Sequence, residues 1–218
     1  MGTKVITVRV GVEPAHVDFT VHEDLVRKSS AFFEAALGRE WLESKERMVR
    51  LPEYAAKDFM IYVQWLYSER LHMSPDGGAK EPTESTNLMK GYLLGDYLQD
   101  TRYKDTLMDA LIEWGWSATE KDYAAIVSNW AYAVLSKTPK DCPLRKFLVD
   151  LTVWHTTSAF WVSSHQGFSN EFVAMVSVGF STRCNDAYRV SPLRTGAHGY
   201  CSYHCHGDKQ CYKTGSKE

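Results

Sequence analysis

The chain has 218 residues, enough for one ordinary domain with an extension or for two small ones. Lys and Arg total 25 against 27 Asp and Glu, a formal charge of −2 that argues against a dedicated nucleic-acid binder or a polybasic membrane-surface protein. Hydrophobic residues at 44% and aromatics at 13% exclude wholesale disorder.

In chain order, two strands come first. Ile6, Val8, Val10 and Val12 alternate with Thr7, Arg9 and Gly11, and Val17, Phe19 and Val21 alternate with Asp18, Thr20 and His22, with Glu13-Pro14-Ala15 between the runs. From Glu23 the period becomes helical, placing Leu25, Ser29, Phe32, Phe33, Ala36 and Leu37 on one face before Gly38. Met48, Val49 and Leu51 predict a short strand closed by Pro52, and a helix from about Ala55 turns Phe59, Val63 and Leu66 inward with Ile61 and Trp65 beside them. Residues 68–87 are polar and hold Pro75, Gly77, Gly78 and Pro82, a surface loop or linker.

Helical periodicity resumes at Leu88, Tyr92 and Leu94, and again at Leu107, Leu111 and Trp114. Ser117-Ala-Thr-Glu120 reads as a capping box opening a helix with Tyr123, Ile126, Val127, Trp130 and Val134. Pro143 suits the first turn of the next, whose Leu144, Phe147, Leu148, Leu151 and Trp154 share a stripe. A last helix is predicted over Asn170 to Val178, and after Gly179 the periodicity fades. Trp114, Trp116, Trp130, Trp154 and Trp161 read as packing residues, and their joint exposure would instead mark a partner site.

Catalytic signatures are mostly absent: no GxxxxGK[ST] phosphate loop, no GxGxxG and no GxSxG elbow. His22-Glu23 begins like a zinc-protease helix, but Val26 stands where the second histidine belongs. Of the five cysteines (142, 184, 201, 205 and 211), Cys142 has no activating neighbour in sequence and reads as structural, with a distant histidine partner the alternative. No catalytic or cofactor-binding residue is assigned, and an enzyme is not expected. The start MGTKVITVRV does not read as a signal peptide, so none is expected, and the apolar stretch Phe172 to Phe180 is nine residues, too short to span a bilayer. An intracellular protein with reduced thiols, in cytoplasm or nucleus, is the expectation.

The tail Cys201-x2-His204-Cys205-His206-x4-Cys211 is the one metal-like run. Zinc takes four N or S ligands in a tetrahedron, and five candidates are present. There is no second pair at finger or ribbon spacing, and adjacent His204, Cys205 and His206 do not all turn easily to one ion. A solvated tail without metal is the expectation, with zinc the alternative.

The first half resembles the BTB/POZ domain, in the version common among filamentous fungi. An ordered series carries the resemblance: Phe19-x-x-His22-x-x-Leu25, then Ser30-x-x-Phe33 and Leu37, Glu40-Trp41-Leu42-Glu43-Ser44, Val49-x-Leu51, Phe59, Trp65-Leu66-Tyr67, and Leu93-Leu94-Gly95-Asp96-Tyr97. It implies an α+β fold, a small mainly three-stranded sheet flanked by a cluster of helices, over residues 1–115. A helical extension over 116–180 and a Cys/His-rich tail over 181–218 would follow. His22 would serve at a helix start with its ring bonding nearby backbone, and Ser30 would sit at a close helix packing site.

Such domains self-associate and recruit other proteins, and many are substrate adaptors of a cullin-based E3 ubiquitin ligase. The resemblance therefore implies an interaction module forming a homodimer, with Trp41, Leu42 and Glu43 at the position of the cullin-contacting triplet. Packing of Trp41 within its own domain is the other role open to it. A self-association or transcription-associated module without cullin contact is the alternative function. The two-fold contact would use the first helix, with Phe32 and Ala36 as contributors; for Phe32 a core position is equally open. Only Met1 to Lys4 precede the first strand, so an exchanged strand is not expected.

Overall fold

Alternation in the opening segment builds two antiparallel strands, β1 (Val5–Val10) and β2 (Val17–His22), in a register that sets Val8 opposite Phe19 and Arg9 opposite Asp18. This is a computed structural model, and it describes residues 2–38, 46–72, 84–185, 190–194, 200–207 and 210–213. Strand β3 (Met48–Leu51) joins β1 in parallel, giving a mixed three-stranded sheet of order β2-β1-β3 in an α+β architecture. Ile6, Val8 and Val10 of the central strand are buried, as are Val49 and Leu51. Edge strand β2 is only partly covered: Val21 is buried, Phe19 half-buried and Val17 exposed. Val12 does not continue β1, because Gly11 at φ +93° turns the chain out of the extended region, and Val12 is exposed. On the solvent face Arg9 grips Asp18 through two hydrogen bonds of 2.8 Å.

The helix predicted from Glu23 to Leu37 is two helices, α1 (Glu23–Ser29) and α2 (Ala31–Gly38). Ser30 breaks it. Its backbone is extended, at φ −118° and ψ 120°, and its hydroxyl donates to the Leu98 carbonyl at 2.5 Å while accepting from the Phe33 N–H at 3.2 Å. A serine that offers a helix start a side-chain acceptor competes with continuation of the helix before it. Beyond β3, α3 (Ala56–Ser68) buries Phe59, Ile61, Tyr62, Trp65 and Leu66; Tyr62, unmarked by the periodicity, is at its centre, 5.0 Å between centroids from Tyr103.

Helix α4 (Glu84–Tyr97) starts within the stretch expected to be loop, with Ser85 and Asn87 buried. Helix α5 (Thr101–Ser117) follows. The chain divides into two compact units, Met1–Leu107 and Met108–Glu218, so the division falls inside α5 rather than at the expected 115. Helical extension and tail together form the second unit.

In that unit α6 (Glu120–Lys137) and α7 (Pro143–His155) pair, and α9 (Asn170–Asn185) packs on α7 behind the short α8 (Ser158–Ser164). The capping box at the start of α6 is Thr119 with Asp122, whose carboxylate accepts from the Thr119 N–H at 2.8 Å; Ser117 instead closes α5. Leu144, Phe147, Leu148 and Leu151 of α7 are buried as their stripe predicts. Helix α9 runs past Gly179 because this glycine marks close helix packing, not a stop: a Cβ there would lie 2.7 Å from Val153 Cγ2 on α7. Of the five tryptophans in this part, only Trp116 is exposed, and the other four are half-buried. Among the described residues, no helix is long and apolar enough to cross a membrane.

Candidate functional site

Helix α2, with the sequence AFFEAALG, carries one charged residue. That residue, Glu34, is drawn to Arg27, which donates to both its carboxylate oxygens at 2.8 Å. Phe33 and Leu37 take the core positions, leaving Ala31 and Ala35 exposed and Phe32 and Ala36 half-buried. Phe32 thus lies at the border of core and surface. Its ring meets Phe33 edge-on at 5.4 Å and Tyr97 at 5.0 Å, and Tyr97 meets Tyr54 at 5.2 Å. Tyr97 is 45% exposed. Burial, with the neighbouring Tyr97, Glu53 and Asp96 adding to it, pushes the Tyr54 phenol up to about 12, so Tyr54 brings no charge to this surface. An uncharged aromatic row beside a helix face of small residues offers apolar area at close approach.

The connection between β2 and α1 is fastened at long range. His22 is the N-cap residue of α1, with no cap bond from its side chain. The expected bond from its ring to nearby backbone is replaced by one to the last turn of α3: Nδ1 lies 2.7 Å from the Tyr67 hydroxyl, which also accepts from the His22 N–H at 3.1 Å. The Tyr67 hydroxyl engages both the backbone and the ring of His22, and so ties the start of α1 to the end of α3. Two separated parts of the sequence signature, His22 and Tyr67, are therefore partners. Trp41, Leu42 and Glu43 lie outside the described residues.

No family model and no curated protein matches the chain.

In the second unit, Cys142 is buried at the start of α7. It lines a shallow concavity with Lys140, Arg145, Lys146, Val149 and Met175, and no histidine is among the lining residues.

Among the described residues, the expectation of a solvated tail is corrected in part. Tyr200, Tyr203, His204 and Cys211 are all buried. Tyr203 is fully covered: its hydroxyl donates to Asp150 at 2.6 Å, its ring meets Phe147 edge-on at 6.4 Å, and the Lys146 ammonium sits 3.8 Å from the ring centroid. His204 reaches Asp109 on α5, Nε2 to Oδ1 at 2.9 Å, and Asp109 also accepts from the Tyr212 hydroxyl and from Lys213 Nζ at 3.0 Å. The tail is thus tied to α5 and α7 by polar anchors its local composition does not announce. The available signal was the interleaving of Tyr200, Tyr203 and Tyr212 with the cysteines and histidines. This docking brings Cys201, His204, His206 and Cys211 together, one donor atom of each within 4.8 Å of every other. Cys205 is outside this group, so the crowding of three adjacent side chains does not arise.

Proposed function

We propose that the protein is a non-enzymatic interaction module whose first unit, a BTB/POZ-type fold, self-associates and recruits other proteins. One observation supports this reading: α2 presents an uncharged face of Phe32, Ala36 and exposed Ala35, and the Phe32 ring meets Tyr97, which in turn meets Tyr54; the resemblance implies a two-fold contact through the helical segment that follows β2. The occupant is a second copy of the chain. Small residues let two helices approach closely, and the aromatic row supplies the area that desolvates on contact. The mixed three-stranded sheet with flanking helices and the His22–Tyr67 bond across the signature support the family reading.

Sedimentation at tens of micromolar tests it. Ala35→Arg and Ala36→Arg weaken self-association by roughly 10-fold to 100-fold, about 1.4–2.7 kcal/mol, without loss of helical circular dichroism. Ala35 is exposed, so its substitution isolates the interface from the core. A wild-type chain that stays monomeric overturns the dimer.

In its specific form the module is a substrate adaptor of a cullin-based E3 ubiquitin ligase, using Trp41, Leu42 and Glu43; its alternative is a transcription-associated or scaffold module without cullin contact. Capture of a cullin from lysate separates them. Trp41→Ala and Glu43→Lys each reduce capture about 30-fold, the loss of a ~2 kcal/mol anchor, and capture equal to wild type removes the adaptor role of the triplet.

A further inference from the structure

We propose that Cys201, His204, His206 and Cys211 bind one zinc ion as a closed structural centre that locks the C-terminal segment onto its own unit. Two sulfurs and two imidazole nitrogens are the donor set that favours zinc in a tetrahedron. Bonds of about 2.3 Å to sulfur and 2.0 Å to nitrogen set neighbouring donors roughly 3.3–3.8 Å apart. The four donors here already lie within 4.8 Å of one another, so side-chain rotations close the rest of the gap.

The hydrogen bonds around the two histidines select which nitrogens face the ion. His204 engages Asp109 through Nε2 at 2.9 Å, and its Nδ1 lies 3.6 Å from Cys211 Sγ. A carboxylate behind a ligating imidazole fixes the tautomer and raises the basicity of the other nitrogen. His206 turns Nδ1 to the Gly207 carbonyl at 2.8 Å, which leaves its Nε2 lone pair directed away. That Nε2 is buried and has no hydrogen-bond partner. A buried acceptor without a donor costs free energy unless something fills the role, and a metal ion does so here. Charge also balances: two thiolates neutralise the divalent ion, and Lys213 offsets Asp109 at 3.0 Å.

Cys211, His204 and Asp109 by themselves form a chain that would suit a cysteine nucleophile. Cys211 is only 7% exposed, however, and Cys201 and His206 occupy the space around the sulfur that a substrate would need. With four protein ligands no coordination position stays open, which makes the centre structural.

The test uses the full chain, freed of any affinity tag and purified under reducing conditions without chelator. After dialysis, elemental analysis yields one zinc per chain, Cys201→Ser and His206→Ala reduce it to background, and Cys205→Ser keeps it. Zinc slows alkylation of Cys201 and Cys211 by iodoacetamide relative to exposed Cys184. Should the variants fail to fold, cobalt titration of the metal-free wild type still decides, through the visible bands of a tetrahedral two-thiolate site. Substoichiometric zinc in the wild type, a Cys201–Cys211 disulfide, or a Cys211 alkylated faster than Cys184 in the presence of zinc each overturn the proposal; the last would favour a nucleophile.

Discussion

Replacing Asp100 by Ala lowers the unfolding free energy by ~3–5 kcal/mol, the scale for removing one member of a buried charged hydrogen-bond cluster. Asp100 is fully buried. Its Oδ1 accepts from the Tyr103 N–H at 3.0 Å, which caps the start of α5, while Oδ2 accepts from the Ser29 hydroxyl at 2.5 Å and the Tyr62 hydroxyl at 3.0 Å. The side chain therefore joins the end of α1, the middle of α3 and the start of α5. Alanine strands three donors in a site closed to water, whereas Asp100→Asn keeps the cap and costs about 1–3 kcal/mol, near one unsatisfied polar group. Urea unfolding of the three proteins checks this, and an Ala variant within experimental scatter of wild type refutes it.

The same carboxyl carries a pH signature. Burial holds its pKa above the ordinary 3.8, against the opposing hydrogen bonds from Ser29, Tyr103 and Tyr62. A folded-state pKa above the unfolded one means the folded chain binds the proton more readily. Stability from this group is therefore fully present below the ordinary value and declines as pH rises through the raised one. The margin of wild type over Asp100→Asn accordingly narrows on going from acid toward neutral pH.

Arg145→Ala has an effect of similar size in the second unit, ~3–5 kcal/mol, because it removes the cation from a buried network. The Arg145 side chain is 5% exposed. Its guanidinium donates to the Leu135 carbonyl at 2.5 Å, to the Thr138 carbonyl, to Thr138 Oγ1 at 3.1 Å and to Glu171 at 2.8 Å. The two carbonyls belong to the C-terminal end of α6, where acceptors lack helical partners and a cation meets the negative end of the helix dipole. Lysine presents a single point of charge and cannot reach both carbonyls and the hydroxyl, so Arg145→Lys still costs about 2 kcal/mol. Glu171 is half exposed at 49%, and Glu171→Gln costs under ~1 kcal/mol, as exposed ion pairs do. Thermal unfolding ranks Arg145→Ala as the most destabilised, then Arg145→Lys, then Glu171→Gln. If Glu171→Gln proves as unstable as Arg145→Ala, the effect belongs to the ion pair instead.

Local periodicity marked the strands β1 and β3 and the helices α3, α6 and α7, because burial of one face imposes a repeat of 2 or 3.6 residues on any sequence that folds that way. At Ser30, Gly179 and Phe32 a partner distant in the chain decides the outcome. Ser30 splits α1 from α2 because the Leu98 carbonyl, 68 positions away, accepts its hydroxyl. Gly179 lies inside a helix because Val149 and Val153 press against it. Phe32 and Phe33 are indistinguishable by type, and only packing assigns Phe33 to the core and Phe32 to the border.

The tail shows the division most sharply. Composition alone placed two histidines and three cysteines within a dozen residues and so supplied donors of the right chemistry. Which four converge, which nitrogens they turn inward and that Cys205 is left aside depend on Asp109, Lys146 and Asp150, whose positions along the chain carry no local mark of that role. Residue type is a property of the chain, but the direction in which a side chain points is settled by the neighbours that folding brings to it.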